Sequence, residues 1–171
     1  MALEVGAASA LWSAFTAKAE LLGAAVMRTS SEDTAVGLLR ETANEFVCTA
    51  SVTRDFSRIA EHATRAPDGR ATEVVAAGKF AVAETGSVAV DEPRADRGLC
   101  FLAERLWLLV PESEIVPSID VAMLRMRELV QAGAPHPLLM SGPSRTADIE
   151  RVLTVGVHGP RALVVVVIGQ A

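Results

Sequence analysis

The sequence predicts an α/β fold, a Rossmann-like layered sheet with helices on both faces. Three observations lead to this prediction. Residues 163–168 form an uninterrupted apolar run with four valines, which is typical of a strand buried on both faces. Helical and strand patterns alternate from the amino terminus onward. A long amphipathic helix is expected to begin at Ser118, directly after a predicted strand.

The amino-terminal residues predict a helix followed by a strand. Residues 8–22 are expected to be helical, because apolar side chains such as Leu11 and Phe15 fall on one side. Gly23 is suited to end this helix, and residues 24–27 are then expected to form a short apolar strand.

A second helix and strand, and then a third helix, are expected to follow. Ser30 or Ser31 is suited to cap the second helix, and residues 46–52 are predicted to be a strand. Residues 67–69, Pro-Asp-Gly, predict a loop within one domain. The apolar positions that support the two helices are Val36, Leu39 and Ala43, then Phe56, Ile59, Ala60 and Ala63.

The middle of the chain predicts more strands and a covering helix. Residues 80–90 contain two apolar stretches joined by the turn at Thr85 and Gly86, and residues 102–119 contain a third apolar stretch, followed by polar residues and Ile-Val-Pro. The helix that begins at Ser118 is expected to cover the sheet. An alternative is that its methionines form a soft surface for a partner. Its apolar positions are Ile119, Ala122, Met123, Met126, Leu129 and Val130.

Residues 141–168 predict a turn, a capped helix, a second turn and the buried strand. Gly142 and Pro143 interrupt regular structure, and Ser144 or Thr146 is suited to cap a helix. The apolar face of this helix is expected from Ile149, Val152 and Leu153, and Gly156, Gly159 and Pro160 are expected to end it.

Composition narrows the class of protein. With 171 residues and 50% apolar content, the chain is expected to form a single domain. The net charge of −5, with dispersed basic residues and 4% aromatic residues, disfavours nucleic-acid binding. The longest apolar run is far shorter than the roughly 18 residues that cross a bilayer. We therefore expect a cytoplasmic protein without membrane insertion.

The two cysteines, Cys48 and Cys100, do not predict a metal site. They are widely spaced and lack the neighbouring ligands of a zinc or iron–sulfur centre. We expect each to be a small buried apolar residue, and the alternative is a reactive or bridged thiol. No glycine triplet of a dinucleotide-binding loop occurs, so no nicotinamide or flavin cofactor is assigned.

Three segments resemble the LUD-domain family, in particular its lactate utilization protein C type. Residues 142–150 read G-P-S-R-T-A-D-I-E, and residues 156–160 read G-V-H-G-P. Residues 80–90 resemble the strand, E-T-G turn and strand of the family, with Ser87 where threonine is usual. The resemblance implies one LUD domain over residues 1–171, with a family-like core at 74–171 and a less family-like part at 1–66.

The resemblance also implies a fold and a role. LUD domains look like the group of ribose-phosphate isomerases, glucosamine-phosphate deaminases and CoA transferases, the NagB/RpiA/CoA transferase-like fold. The implied role is that of a subunit in the oxidation of L-lactate to pyruvate, which binds iron–sulfur partner subunits, a small organic acid, or both. One alternative is a stand-alone enzyme or binding protein for a phosphorylated or CoA-linked molecule, and another is a purely structural assembly subunit.

Glu84, Thr85 and Gly86 are the first candidate site, because Glu84 ends an apolar strand where the chain must turn. The alternative is a solvent-facing turn residue that accepts backbone hydrogen bonds. Resemblance to the fold group implies a catalytic candidate, because a strand-end glutamate is the nucleophile in CoA transferases.

Gly142, Ser144, Arg145, Thr146 and Asp148 are the second candidate site. A loop that enters a helix offers free N–H groups, hydroxyls and a guanidinium to a small anion. In such a site Arg145 would pair with the anion, and Asp148 would orient Arg145 or accept a proton. The alternative is ordinary helix capping.

His158 is the third candidate, in a turn at the entrance to the buried strand. The alternatives are a structural role in the turn, general acid–base chemistry and metal binding.

Overall fold

The computed structural model describes residues 2–43, 45–64, 71–147, 153–155 and 159–169. Its helices are α1 (Ala2–Leu21), α2 (Glu32–Thr42), α3 (Ala50–Asp55), α4 (Ser57–Ala60), α5 (Arg94–Leu102) and α6 (Ile119–Gln131), with a 3₁₀ turn at Glu112–Glu114. Its strands are β1 (Ala25–Thr29), β2 (Val47–Cys48), β3 (Glu73–Val82), β4 (Ser87–Val90), β5 (Arg105–Pro111), β6 (Ile115–Val116), β7 (Leu138–Met140), β8 (Arg145–Ala147), β9 (Leu153–Val155) and β10 (Ala162–Ile168).

Eight strands form one largely parallel sheet in the order β1, β10, β5, β3, β4, β7, with β2 and β6 also paired to β3. Strands β1, β10, β5 and β3 pair in parallel, whereas β4 is antiparallel to both β3 and β7. The expected α/β class with a largely parallel sheet is therefore confirmed. Within the described residues, no helix is both long and apolar enough to cross a membrane.

Helices cover both faces of the sheet. Alternate residues of a strand point to opposite faces. Val74 and Ala76 of β3 pack in a cluster with Phe15 of α1, whereas Val75 and Ala77 pack in a cluster with Leu39 of α2. The apolar run of β10 lies between β1 and β5 and is buried, as its valines predicted.

Strand β3 changes partners along its length. Its first half pairs with β5 on one side and β2 on the other, and its second half pairs with β6 and β4. The register of the β3–β4 pair shifts between Gly78 and Phe80, so Lys79 lies in a bulge at the change. Beyond it, α6 packs over Phe80 and Val82.

The predicted strand at residues 46–52 is wrong in its extent. Only Val47 and Cys48 pair with β3, and α3 begins at Ala50. From Gly78 onward β4 occupies this side of β3, so β2 has no edge along which to continue. The third predicted helix is present as the short α4, and the predicted loop at 67–69 lies outside the described residues.

The predicted helix after Ser144 is also wrong. Residues 145–147 and 153–155 pair instead as the antiparallel strands β8 and β9. This segment contains the β-branched residues Thr146, Thr154 and Val155, whose side chains favour extended backbone.

Helix α6 begins at Ser118, as predicted, but only part of its apolar stripe faces the sheet. Ala122 is buried, and Ile119, Met126 and Leu129 pack against the same cluster. Met123 and Val130 are 54% and 56% exposed, contrary to the predicted burial. The side of α6 that faces the sheet is thus narrower than the predicted stripe, because one helix face meets the cluster and Met123 and Val130 lie outside it.

We predict that Gly86→Ala destabilises the protein, because Gly86 has φ +66° and an added Cβ would lie 2.6 Å from the carbonyl carbon of Lys18. The expected loss is about 1–3 kcal/mol in the free energy of unfolding, measured by urea denaturation. The matched control is Gly37→Ala within α2, where a Cβ meets no atom within 4 Å and should stabilise by up to about 1 kcal/mol. Equal effects of the two substitutions would contradict this packing.

Candidate functional site

The turn at residues 84–87 and the loop at residues 141–145 meet at the carboxyl end of α1. Gly86 lies against the backbone of Lys18 and Ala19. Gly142, with φ +74°, lies against Leu22, where an added Cβ would be 2.5 Å from the carbonyl oxygen. The close approach of both glycines to α1 brings two predicted site segments together, although they are more than 50 residues apart in sequence.

A chain of three hydroxyls joins the turn to the loop. Thr85 Oγ1 donates to Ser87 Oγ at 2.9 Å, and Ser87 Oγ lies 2.5 Å from Ser141 Oγ. Ser87 is only 3% exposed, whereas Ser141 is exposed. Sequence reasoning did not select Ser87 and Ser141 as site residues. The signal that could have found them is their position beside the selected glycines, Gly86 and Gly142.

Ser144 and Arg145 extend the loop along α1. The Ser144 N–H donates to the Pro160 carbonyl at 2.9 Å, which ties the loop to the start of β10. The exposed Arg145 places its guanidinium against Gly23, just beyond the last turn of α1. A cation is favoured there, because the carboxyl end of a helix carries partial negative charge. Arg145 therefore lies at a helix C-terminus and not at the predicted helix N-terminus.

Glu84 is exposed and has a direct structural contact. Its Oε2 accepts a hydrogen bond from the Ile119 N–H at 2.8 Å, at the first residue of α6. A carboxylate at this position satisfies one of the free amides of the helix and complements its positive end. The contact matches the turn role considered for Glu84, and its catalytic role stays a prediction.

Of the remaining predicted site residues, one lies in a strand and two lie outside the described residues. Thr146 is the central residue of β8, opposite Thr154. Asp148 and His158 lie outside the described residues. Their proposed contacts with a ligand stay predictions.

A second polar centre lies where β3 exchanges β2 for β4. Glu92, two residues after β4, is 3% exposed. Its Oε1 accepts hydrogen bonds from the buried hydroxyls of Thr49, at 2.8 Å, and Ser51. Ser51 Oγ also accepts from the Ala77 N–H at 3.1 Å. These bonds tie the start of α3 to the ends of the neighbouring strands.

The surroundings of Glu92 favour its neutral form. Burial raises the pKa of Glu92, and the hydrogen bonds from Ser51 and Thr49 offset only part of that effect. Its Oε2 is buried without a hydrogen-bond partner among the described residues. The nearby Lys79 bonds to Asp55 at 3.0 Å. Arg54, and then Lys79, lower the pKa of Asp55 to about 2.

Burial also disfavours the ionised form of both cysteines. Burial raises the pKa of both Cys48 and Cys100 to about 12, so the thiolate is strongly disfavoured. Cys100 is buried, as predicted, whereas Cys48 is half-buried. No group of three or more potential metal-binding side chains occurs in the part of the chain that the structure describes.

We predict that the stability of Glu92→Gln relative to wild type increases from pH 4 to neutral pH. A raised folded-state pKa means that the stability from neutral Glu92 is present below the ordinary pKa of glutamate, about 4.3, and is lost as pH rises through the folded value. Glutamine keeps the neutral acceptor at every pH. Urea unfolding from pH 4 to 8 should show that the difference in unfolding free energy between Glu92→Gln and wild type shifts in favour of the variant as pH rises.

The control for this measurement is Glu61→Gln, at an exposed glutamate. The pH dependence of Glu92→Gln is compared with that of this variant. A Glu92→Gln curve parallel to wild type over the whole range would contradict a raised pKa of Glu92 in the folded protein.

Comparison with known proteins identifies the family. The LUD domain matches residues 49–168. The chain is 38% identical over 103 residues to Lactate utilization protein C of Deinococcus radiodurans, covering 58% of this chain and 48% of that protein. It is 34% identical over 98 residues to Lactate utilization protein C of Geobacillus thermodenitrificans, covering 55% and 41%. The chain thus spans about half the length of these relatives.

A solved structure shows the same fold. The crystal structure of a DUF162 family protein from Deinococcus radiodurans aligns with a TM-score of 0.66 over 95% of this chain and 98% of that one, at 22% identity. The LUD-domain match covers well over half of the residues of this chain, and the chain therefore belongs to the LUD-domain family.

Proposed function

We propose that this chain is a component of a lactate utilization system, in which L-lactate is oxidised to pyruvate. The observation that carries the proposal is the direct contact between the 84–87 turn and the 141–145 loop, the segments that carry the family resemblance. Relatives named for lactate utilization support the same role. The proposal also includes that the fold is of the NagB/RpiA/CoA transferase-like type.

The electron-transfer groups in this proposal belong to partner subunits. Iron–sulfur clusters are usually held by four cysteine thiolates, and the sequence contains two widely spaced cysteines, Cys48 and Cys100. The chain would then associate with cysteine-rich partners and contribute a site for the organic acid.

The proposed ligand site is the surface around the turn and the loop. Arg145 offers an exposed guanidinium, the side chain best suited to bind a carboxylate through two hydrogen bonds. The stand-alone enzyme that uses Glu84 has less support, because Glu84 already bonds to the first amide of α6.

The role in lactate use can be tested by complementation. A Bacillus subtilis strain that lacks its Lactate utilization protein C is expected to regain growth on L-lactate when it expresses this chain. A Gly142→Val variant should fail, because Gly142 has φ +74° and packs against Leu22. The control is the Gly37→Ala variant, which should restore growth. Expression of folded chain without growth would contradict the proposal.

We predict that L-lactate or pyruvate raises the thermal midpoint of the wild-type chain and that Arg145→Ala removes this shift. A ligand that binds only the native state stabilises it, by about 2.7 kcal/mol at 100 times its Kd. The matched control is Arg127→Ala at an exposed arginine of α6, which should retain the full shift. An undiminished shift in Arg145→Ala would exclude Arg145 as the contact for the acid.

A further inference from the structure

The hydroxyl chain of Thr85, Ser87 and Ser141 has one favoured direction. Thr85 donates its proton to Ser87, so Ser87 still has its own proton to donate. Ser87 and Ser141 each have one proton, and only one of the two can lie between their oxygens. Two arrangements are therefore possible, and they differ in which hydroxyl is left with a free proton.

Burial decides between the two arrangements. If Ser141 donated to Ser87, the proton of buried Ser87 would need a third partner, and the described residues offer none. A buried donor without a partner is costly. If Ser87 donates to Ser141, the free proton is on Ser141, which is exposed and can bond to water or to a ligand. The second arrangement is therefore favoured.

We infer that Ser141 donates a hydrogen bond to a small carboxylate ligand at the proposed site. The inference rests on the proposed function. Consecutive hydroxyls polarise one another, so the proton at the end of the chain is a stronger donor than that of an isolated serine. Ser141 directly precedes Gly142, which holds the loop against the end of α1, and Arg145 lies along the same end.

The chemistry of these groups selects the ligand class. Ser141 contributes a donor and Arg145 a cation with paired donors, so the matching ligand presents several acceptor oxygens and a negative charge. Carboxylate and phosphate share these properties. Arg145 supplies one positive charge, which matches a monocarboxylate more closely than the doubly charged phosphate.

The test measures binding by isothermal titration calorimetry, with L-lactate, pyruvate and inorganic phosphate in separate titrations. Ser141→Ala is expected to weaken the Kd for a carboxylate at least about tenfold, since it removes a hydrogen bond to a charged group. The matched control is Ser57→Ala, at an exposed serine of α4, which should bind as wild type. Because Ser141→Ala also removes the acceptor of the buried Ser87 hydroxyl, its thermal midpoint without ligand should lie below that of Ser57→Ala, and the titrations are run at a temperature where both variants are folded.

The Ser87→Ala variant tests separately whether Ser87 donates its hydrogen bond to Ser141. It retains the Ser141 hydroxyl and removes only the group that orients it, so a smaller loss of affinity is expected. A larger loss in Ser87→Ala than in Ser141→Ala would place the ligand contact at Ser87 and overturn the inference.

Three other results overturn it. The first is that Ser141→Ala binds the carboxylates as tightly as wild type. The second is that the wild-type chain binds phosphate but neither L-lactate nor pyruvate. The third is that the wild-type chain binds none of the three probes. Growth on L-lactate in the complementation strain decides the proposed function separately. A wild-type chain that restores growth together with an unaffected Ser141→Ala Kd would remove this inference and leave the proposed function intact.

Discussion

The change of partners along β3 is the constraint on which the rest of the structure depends. The first half of β3 pairs in parallel with β2 and β5. Its second half pairs antiparallel with β4 and parallel with β6. The change ends β2 after two residues and places a bulge at Lys79. It also separates the helices of one face, because α2, α3 and α4 pack beside the first half and α6 beside the second.

The same change explains the buried acid. Where β2 departs and β4 ends, Glu92 comes together with Thr49 and Ser51 in the interior. The Ser51 hydroxyl accepts a hydrogen bond from the Ala77 N–H of β3, where strand pairing is interrupted, and donates to the Glu92 carboxyl. This contact fixes α3 relative to the sheet, and burial raises the pKa of the carboxyl.

Helix α1 has the corresponding role for the candidate site. Its carboxyl end is the surface against which Gly86, Gly142 and Arg145 all pack. Side chains other than glycine would push the two turns away from the helix. The separation of the turns is thus set by backbone contacts, and the bond between Ser87 and Ser141 follows from it.

Much of the fold was determined by the sequence itself, because its signals are local. Helix caps such as Ser31 and Ser118, and the valine run of β10, act through neighbouring residues. The 84–87 turn and the 141–145 loop were recognisable for the same reason. The sequence also contained the site residues Thr85, Gly86, Gly142 and Arg145, but not their arrangement.

Only the tertiary structure decided the remaining features, because they depend on competition between distant segments. β2 is short because β4 occupies its edge, and residues 145–155 include a strand pair where local capping signals favoured a helix. Glu84 bonds to α6, which lies 35 residues further along the chain. Burial of Glu92 and the direction of the hydroxyl chain likewise require knowledge of which polar groups are excluded from water, and this is a property of the packed molecule.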